Sequence, residues 1–147
     1  MTELIPATAP DWPEIREMAR DFHAGDGHAL SGTGETALEK ALETSPYVRV
    51  WLLKYDGATV GYGVLCFSYS IEFGGMTSYL DDFYVKPEFR GKGIGTKALQ
   101  AFEKISIHEN CCIFQLETEA ANKHAKAFYR ARGFTDMGRT LLIKKLP

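Results

Sequence analysis

The sequence predicts an α/β fold with a mixed central sheet: an antiparallel meander in the N-terminal half, a βαβ arrangement in the C-terminal half, and helices on both faces. Three observations predict it. Three β-rich runs, YVRVWLLKY, TVGYGVLCFSYS and TSYLDDFYV, follow one another with only short turns between them, so neighbours pair antiparallel. Beyond them, helix-period and strand-like segments alternate, as they do where a crossover helix joins parallel strands. The chain has 147 residues, 45% hydrophobic and 12% aromatic, enough to build one domain, 1–147, around a core of its own.

The elements follow in order. ELIPA reads as a short first strand. Asp11 precedes WPEIREMARDF, with Pro13 in the first turn and Ile15, Met18, Ala19 and Phe22 at helical spacing, which is a capped amphipathic helix. HAGDGHALSGTG, residues 23–34, is glycine-rich and polar and reads as a loop, and a short helix over residues 35–43 ends at Ser45-Pro46. The strand YVRVWLLKY turns at Asp56-Gly57 into its return strand, and the third strand stops at Pro87. Ile94, Ala98, Leu99 and Phe102 carry a helix period and form a core stripe. CCIFQLE reads as a buried strand, NKHAKAFYRAR as a helix stopped by Gly133, and TLLIKKL as the last strand.

Composition excludes several classes. Net charge is −2, from 17 basic and 19 acidic residues, which does not suit a general nucleic-acid binder. There is no apolar run long enough to span a bilayer, and the N-terminus lacks the basic start and apolar block of a signal peptide. The three cysteines, Cys66, Cys111 and Cys112, are odd in number and lie in apolar runs. That pattern predicts buried thiols in a reducing cytoplasm and neither a disulfide framework nor a metal site. His23 and His28 have no obvious third ligand near them in the sequence.

The most informative stretch is VKPEFRGKGIGTKALQAFEK, residues 85–104. Gly91, Gly93 and Gly95 stand at a strand-to-helix junction beside Arg90 and Lys92. Glycine lets the backbone approach a ligand closely. The first N–H groups of a helix are unpaired and carry the positive end of its dipole, so such a junction suits a pyrophosphate. The nucleotide P-loop pattern is absent. A dinucleotide fingerprint is met in letters by Gly93, Gly95 and Ala98, with Glu117 and Glu119 downstream. It requires a strand running straight into the first glycine, and Lys86-Pro87-Glu88-Phe89 intervenes.

Residues 90–95, RGKGIG, have the pattern [Q/R]-x-x-G-x-[G/A], and here the sequence resembles the GNAT superfamily of N-acetyltransferases. The resemblance extends back through YLDDFYVKPEFRG and forward through N-x-x-A-x-x-F-Y-x-x-x-G-F, covering residues 62–134. It implies a GNAT-like sheet, acetyl-CoA as cosubstrate with no metal, and acetyl transfer to a primary amine by direct attack in a ternary complex. Gly91, Lys92, Gly93, Ile94, Gly95 and Thr96, with Arg90, would hold the pyrophosphate. Main-chain groups of Phe83, Tyr84 and Val85 would pair with the pantetheine arm, and the Val85 N–H would polarise the thioester oxygen. Asn122 would touch the pantetheine or cap its helix, and Ala125 and Phe128 would line the channel or pack the core.

Tyr129 stands at the family's F-Y tyrosine, which protonates the departing thiolate, and a phenol is a proton donor at neutral pH. YLDDFYV is similar to a segment of the diamine and polyamine acetyltransferases in which a glutamate faces the substrate amine. The shorter Asp81 stands at that position, so it takes the amine's proton directly or through water. Strand alternation predicts Asp81 and Asp82 on opposite faces, one toward the cleft and one structural. The loop at residues 23–35 would form the acceptor side, with Asp26 and Glu35 as cation contacts. The acceptor implied is a small cationic amine. A protein amine, an antibiotic amine, or a non-catalytic CoA-binding module on the same fold remain the alternatives, and the family suggests a homodimer.

Overall fold

The computed structural model describes residues 1–147. Five strands pair in the order β1-β2-β3-β4-β5. They are β1 (Thr2–Pro6), β2 (Val48–Tyr55), β3 (Ala58–Ser70), β4 (Gly75–Val85) and β5 (Ile113–Gln115). The helices are α1 (Trp12–Gly25), α2 (Gly32–Lys40), α3 (Ile94–His108) and α4 (Lys123–Arg130). The first four strands are antiparallel and β4 to β5 is parallel, with α3 as the crossover. The chain forms two compact units, Met1–Leu116 and Glu117–Pro147.

In the first unit the meander arises as the sequence predicts. Asp56 and Gly57 both take positive φ, +47° and +83°, the twist a two-residue hairpin needs. Alternation along the strands then sorts side chains by face. Val50, Leu52, Tyr62, Val64 and Tyr84 form one buried cluster with Ile15, Met18 and Ala19 of α1 and Leu38 of α2. Their neighbours face α3: the Trp51 and Phe83 rings lie 5.6 and 6.2 Å from Phe102, edge to face. Gly63 is required here, since a Cβ would sit 2.4 Å from the Phe102 ring. Gly61 is required by the backbone, as its Cβ would lie 2.1 Å from the Tyr84 carbonyl oxygen.

Four expectations are corrected. α2 begins three residues earlier than its apolar spacing indicates, because the Ser31 hydroxyl accepts from the Gly34 N–H and caps it there. β5 is only three residues long and half-buried. TLLIKKL forms no strand, and Leu141, Leu142 and Ile143 are exposed, since alternation supplies a strand's side-chain pattern but not the neighbour that pairs its backbone. Cys66 and Cys111 are partly buried, whereas Cys112 is exposed, its thiol against the Phe73 and Met76 carbonyls.

No helix is long and apolar enough to cross a membrane.

Candidate active site

Two features of β4 build the site. The first is its outer edge. Pairing with β5 is confined to residues 77–79, while β4 continues to Val85 with a strand neighbour only on its β3 side. The sheet therefore opens beyond residue 79, along the stretch holding Phe83, Tyr84 and Val85. The second is a bulge. Leu80 pairs with Leu65 and Asp82 with Val64, so Asp81 is the extra residue. Leu80 and Asp82 are two apart yet lie on opposite faces. Asp81 is exposed and Asp82 buried, and the inserted residue resets the parity of the strand beyond it.

At the end of β4 the chain turns through Pro87 into the glycine loop. Gly91 and Gly93 take φ of +74° and +78°, the left-handed region open to glycine at little cost, with no atom where a Cβ would project. Gly93 is the N-cap of α3, which begins without a side-chain cap and without an acidic residue in its first turn. Gly95 lies inside the helix, together with Ile94 and Thr96. The Arg90 guanidinium donates to the Val85 carbonyl at 2.8 Å and lies 5.6 Å from the Tyr84 ring centroid, while the Lys92 ammonium sits 5.2 Å from that of Phe89. Arg90 thus ties the loop to the open end of β4.

Beneath α1, Asp82 is a buried carboxylate with two partners. The Tyr62 hydroxyl donates to its Oδ2 at 2.6 Å and His23 Nε2 lies 3.0 Å from the same oxygen. Phe22 closes the group, 5.0 Å edge-on to the His23 ring and 6.1 Å from Tyr84. Burial pushes the Tyr62 phenol far upward, with the Asp82 charge next. Burial, then Asp81 and Asp82, push the Cys66 thiol up to about 11, so it stays protonated at neutral pH and is a poor nucleophile. The sequence places His23 in a loop and gives Asp82, opposite a cleft-facing Asp81, only a structural place. Their meeting depends on the bulge and on α1 running through Gly25, neither of which leaves a signature in the letters.

Glu35 accepts from Arg16, at 3.0 Å, and from Arg20. It ties α2 to α1, and its two arginine partners, Arg20 first, lower its carboxyl. No group of three His, Cys, Asp or Glu side chains is placed to hold a metal ion.

In the second unit, Asn122 caps α4 by accepting from the Ala125 N–H at 3.0 Å. Tyr129 lies between Phe128 and Phe134, with ring centroids at 5.2 and 5.6 Å. The Arg132 guanidinium stacks 3.6 Å above the Phe128 ring and donates to the Phe128 carbonyl.

The chain is similar to known proteins. The chain is 41% identical over 78 residues to thialysine N-epsilon-acetyltransferase of Bos taurus, covering 53% of this chain and 45% of that protein. It is 26% identical over 140 residues to human spermidine/spermine N(1)-acetyltransferase-like protein 1, covering 89% of this chain and 20% of that one. It therefore spans less than half the length of these two relatives. Among solved structures, an integron cassette protein from the mobile metagenome of a salt marsh superposes with a TM-score of 0.82 at 32% identity, covering 98% of this chain and 90% of the other. The profile of the acetyltransferase (GNAT) family matches residues 12–134, most of the chain. With its glycine loop, opened β4 edge and five-stranded mixed sheet, the chain belongs to the GNAT acetyltransferase family.

Proposed function

We propose that the protein transfers an acetyl group from acetyl-CoA to the primary amine of a small cationic acceptor, by direct attack. One observation carries the reading. A strand with an open edge over residues 80–85 runs into an uncapped helix N-terminus preceded by two left-handed glycines. Main-chain donors at the loop receive the pyrophosphate, with Arg90 and Lys92 adding charge. The open edge receives the pantetheine arm, and the Val85 N–H receives the thioester oxygen as negative charge grows on it.

Asp81 and Asp82, adjacent in β4, supply negative charge for a cationic acceptor. Asp81 is exposed and draws the ammonium in. Tyr129, by its place in the N-x-x-A-x-x-F-Y motif, protonates the leaving thiolate; Asn122, Ala125 and Phe128 complete the cofactor contacts of that motif. A direct route is favoured because Cys66, the cysteine closest in charge environment to the two aspartates, holds its proton. The likeness to a thialysine and a spermidine/spermine enzyme supports a small amine as acceptor.

Calorimetry with CoA followed by a thiol-release screen over spermidine, thialysine and an aminoglycoside tests this. Micromolar CoA binding and turnover with one amine are expected. No heat with CoA removes the reading, and tight CoA binding with no turnover on any amine replaces it with a binding module.

A further inference from the structure

We infer that His23, oriented by Asp82, is the group that accepts the acceptor amine's proton. This deepens the acetyl-transfer reading and rests on it. The motif places only Asp81 near the amine, and a carboxylate is poorly matched to a proton acceptor's task at neutral pH. Ordinary carboxylates titrate near 4 and imidazoles near 6.5, and a general base works best when it titrates close to the working pH.

The geometry assigns the imidazole's tautomer. Asp82 Oδ2 accepts a hydrogen bond from the Tyr62 hydroxyl at 2.6 Å and meets His23 Nε2 at 3.0 Å. As a carboxylate it only accepts, so Nε2 carries the hydrogen and Nδ1 of the neutral ring keeps its lone pair. Asp82 is 7% exposed and fixed by two partners, and the Phe22 ring packs edge-on to the imidazole at 5.0 Å. The His23 side chain is 26% exposed, enough to return its proton to water. The dyad also sits next to the bulge, where β4 has parted from β5 and the thioester would arrive. Tyr62 rigidifies the carboxylate; its phenol, pushed up by burial, does not titrate in the working range. The charged and titratable groups around the dyad are Asp82 and Asp81 from β4, Tyr84 beside Phe22, and Tyr62 and Cys66 from β3.

The step balances without a further reactant. The acceptor R–NH3⁺ gives one proton to His23 Nδ1, directly or through one water. The amine lone pair attacks the thioester carbon, the C–S bond breaks, and the thiolate takes a proton from the general acid. Of the two protons left on nitrogen, one restores the acid and the other stays in the amide, and His23 returns its own to solvent. The net change is acetyl-CoA plus R–NH3⁺ giving CoA–SH, R–NH–acetyl and H⁺. Asp81 then acts on acceptor binding and His23 on proton removal, so the two separate kinetically.

The test measures thiol release over pH 6.5–10 for wild type, His23→Gln, His23→Ala, Asp82→Asn and Asp81→Asn, using whichever amine of the screen turns over. For His23→Gln, kcat should fall about 100-fold at pH 7.5, with the KM for acetyl-CoA unchanged. That loss should shrink as the pH nears 10, where the amine arrives already deprotonated. Imidazole in the buffer should restore part of the His23→Ala rate. Asp82→Asn should lower kcat and alter the pH profile, while Asp81→Asn should mainly raise the KM for the amine. Unchanged CoA affinity and melting temperature in the His23 variants exclude misfolding. A wild-type rate and pH profile in His23→Gln overturn this inference and leave the acetyl-transfer reading standing. No thiol release from the wild type with any amine overturns both.

Discussion

At the residue scale, two side chains of similar type are set apart by their surroundings. Cys66 lies against the core beside two aspartates, and its thiol is pushed up to about 11, burial being the largest cause. Cys112 is exposed. Iodoacetamide at pH 8 should therefore label Cys112 well before Cys66, by mass mapping of the peptides; equal labelling rates would refute the burial argument. Tyr129 offers a second separation. Tyr129→Phe keeps the ring among Phe128 and Phe134 but removes the hydroxyl, so CoA affinity should persist while kcat falls about 100-fold. Tyr129 and Asp81 were legible as motif positions. The Asp82 group was not, because its members are 20 and 59 residues apart in the chain and share no local pattern.

The elements carry a different kind of constraint. Gly93 is the left-handed N-cap of α3, and its surroundings are open. Gly93→Ala should cost about 1 kcal/mol through backbone strain alone, and should weaken CoA binding more than it lowers stability if the loop holds the pyrophosphate. Equal losses in a CoA titration and a urea melt would count against the loop's role. Gly61 is different, because a methyl there runs into the main chain of β4 at Tyr84. Gly61→Ala should destabilise by about 1–3 kcal/mol and displace the segment that presents the Val85 N–H, so Tm and CoA affinity should fall together. The bulge at Asp81 is an element feature that periodicity does not show. Side-chain alternation holds only while each residue has one partner, and one inserted residue inverts all that follow.

On the scale of the whole molecule, long-range ties fix the first unit. Arg49 of β2 forms a two-pronged pair with Glu109 at the end of α3, at 2.7 and 3.1 Å, 60 residues away in sequence. The Arg49 partner holds the Glu109 carboxyl below its ordinary value. A carboxyl lowered by folding stabilises above its unfolded value and loses that contribution as the pH falls through the folded one. Arg49→Met should cost under about 1 kcal/mol at pH 7, since the pair is partly exposed, and nothing once Glu109 is protonated in both states. Urea melts of both proteins at pH 7 and at acid pH check this, and an equal deficit at both would show that packing of Arg49 on Phe67 is the cause. By itself the sequence determined the order of the meander, the glycine junction and the family motifs, because turn chemistry, periodicity and left-handed glycines act within a few residues. Only the tertiary structure decided where the sheet opens, which face Asp82 takes, that Glu35 is held by two arginines, and that the last apolar run stays unpaired. Those outcomes depend on which distant backbone or side chain is available as a partner, and a local pattern does not carry that information.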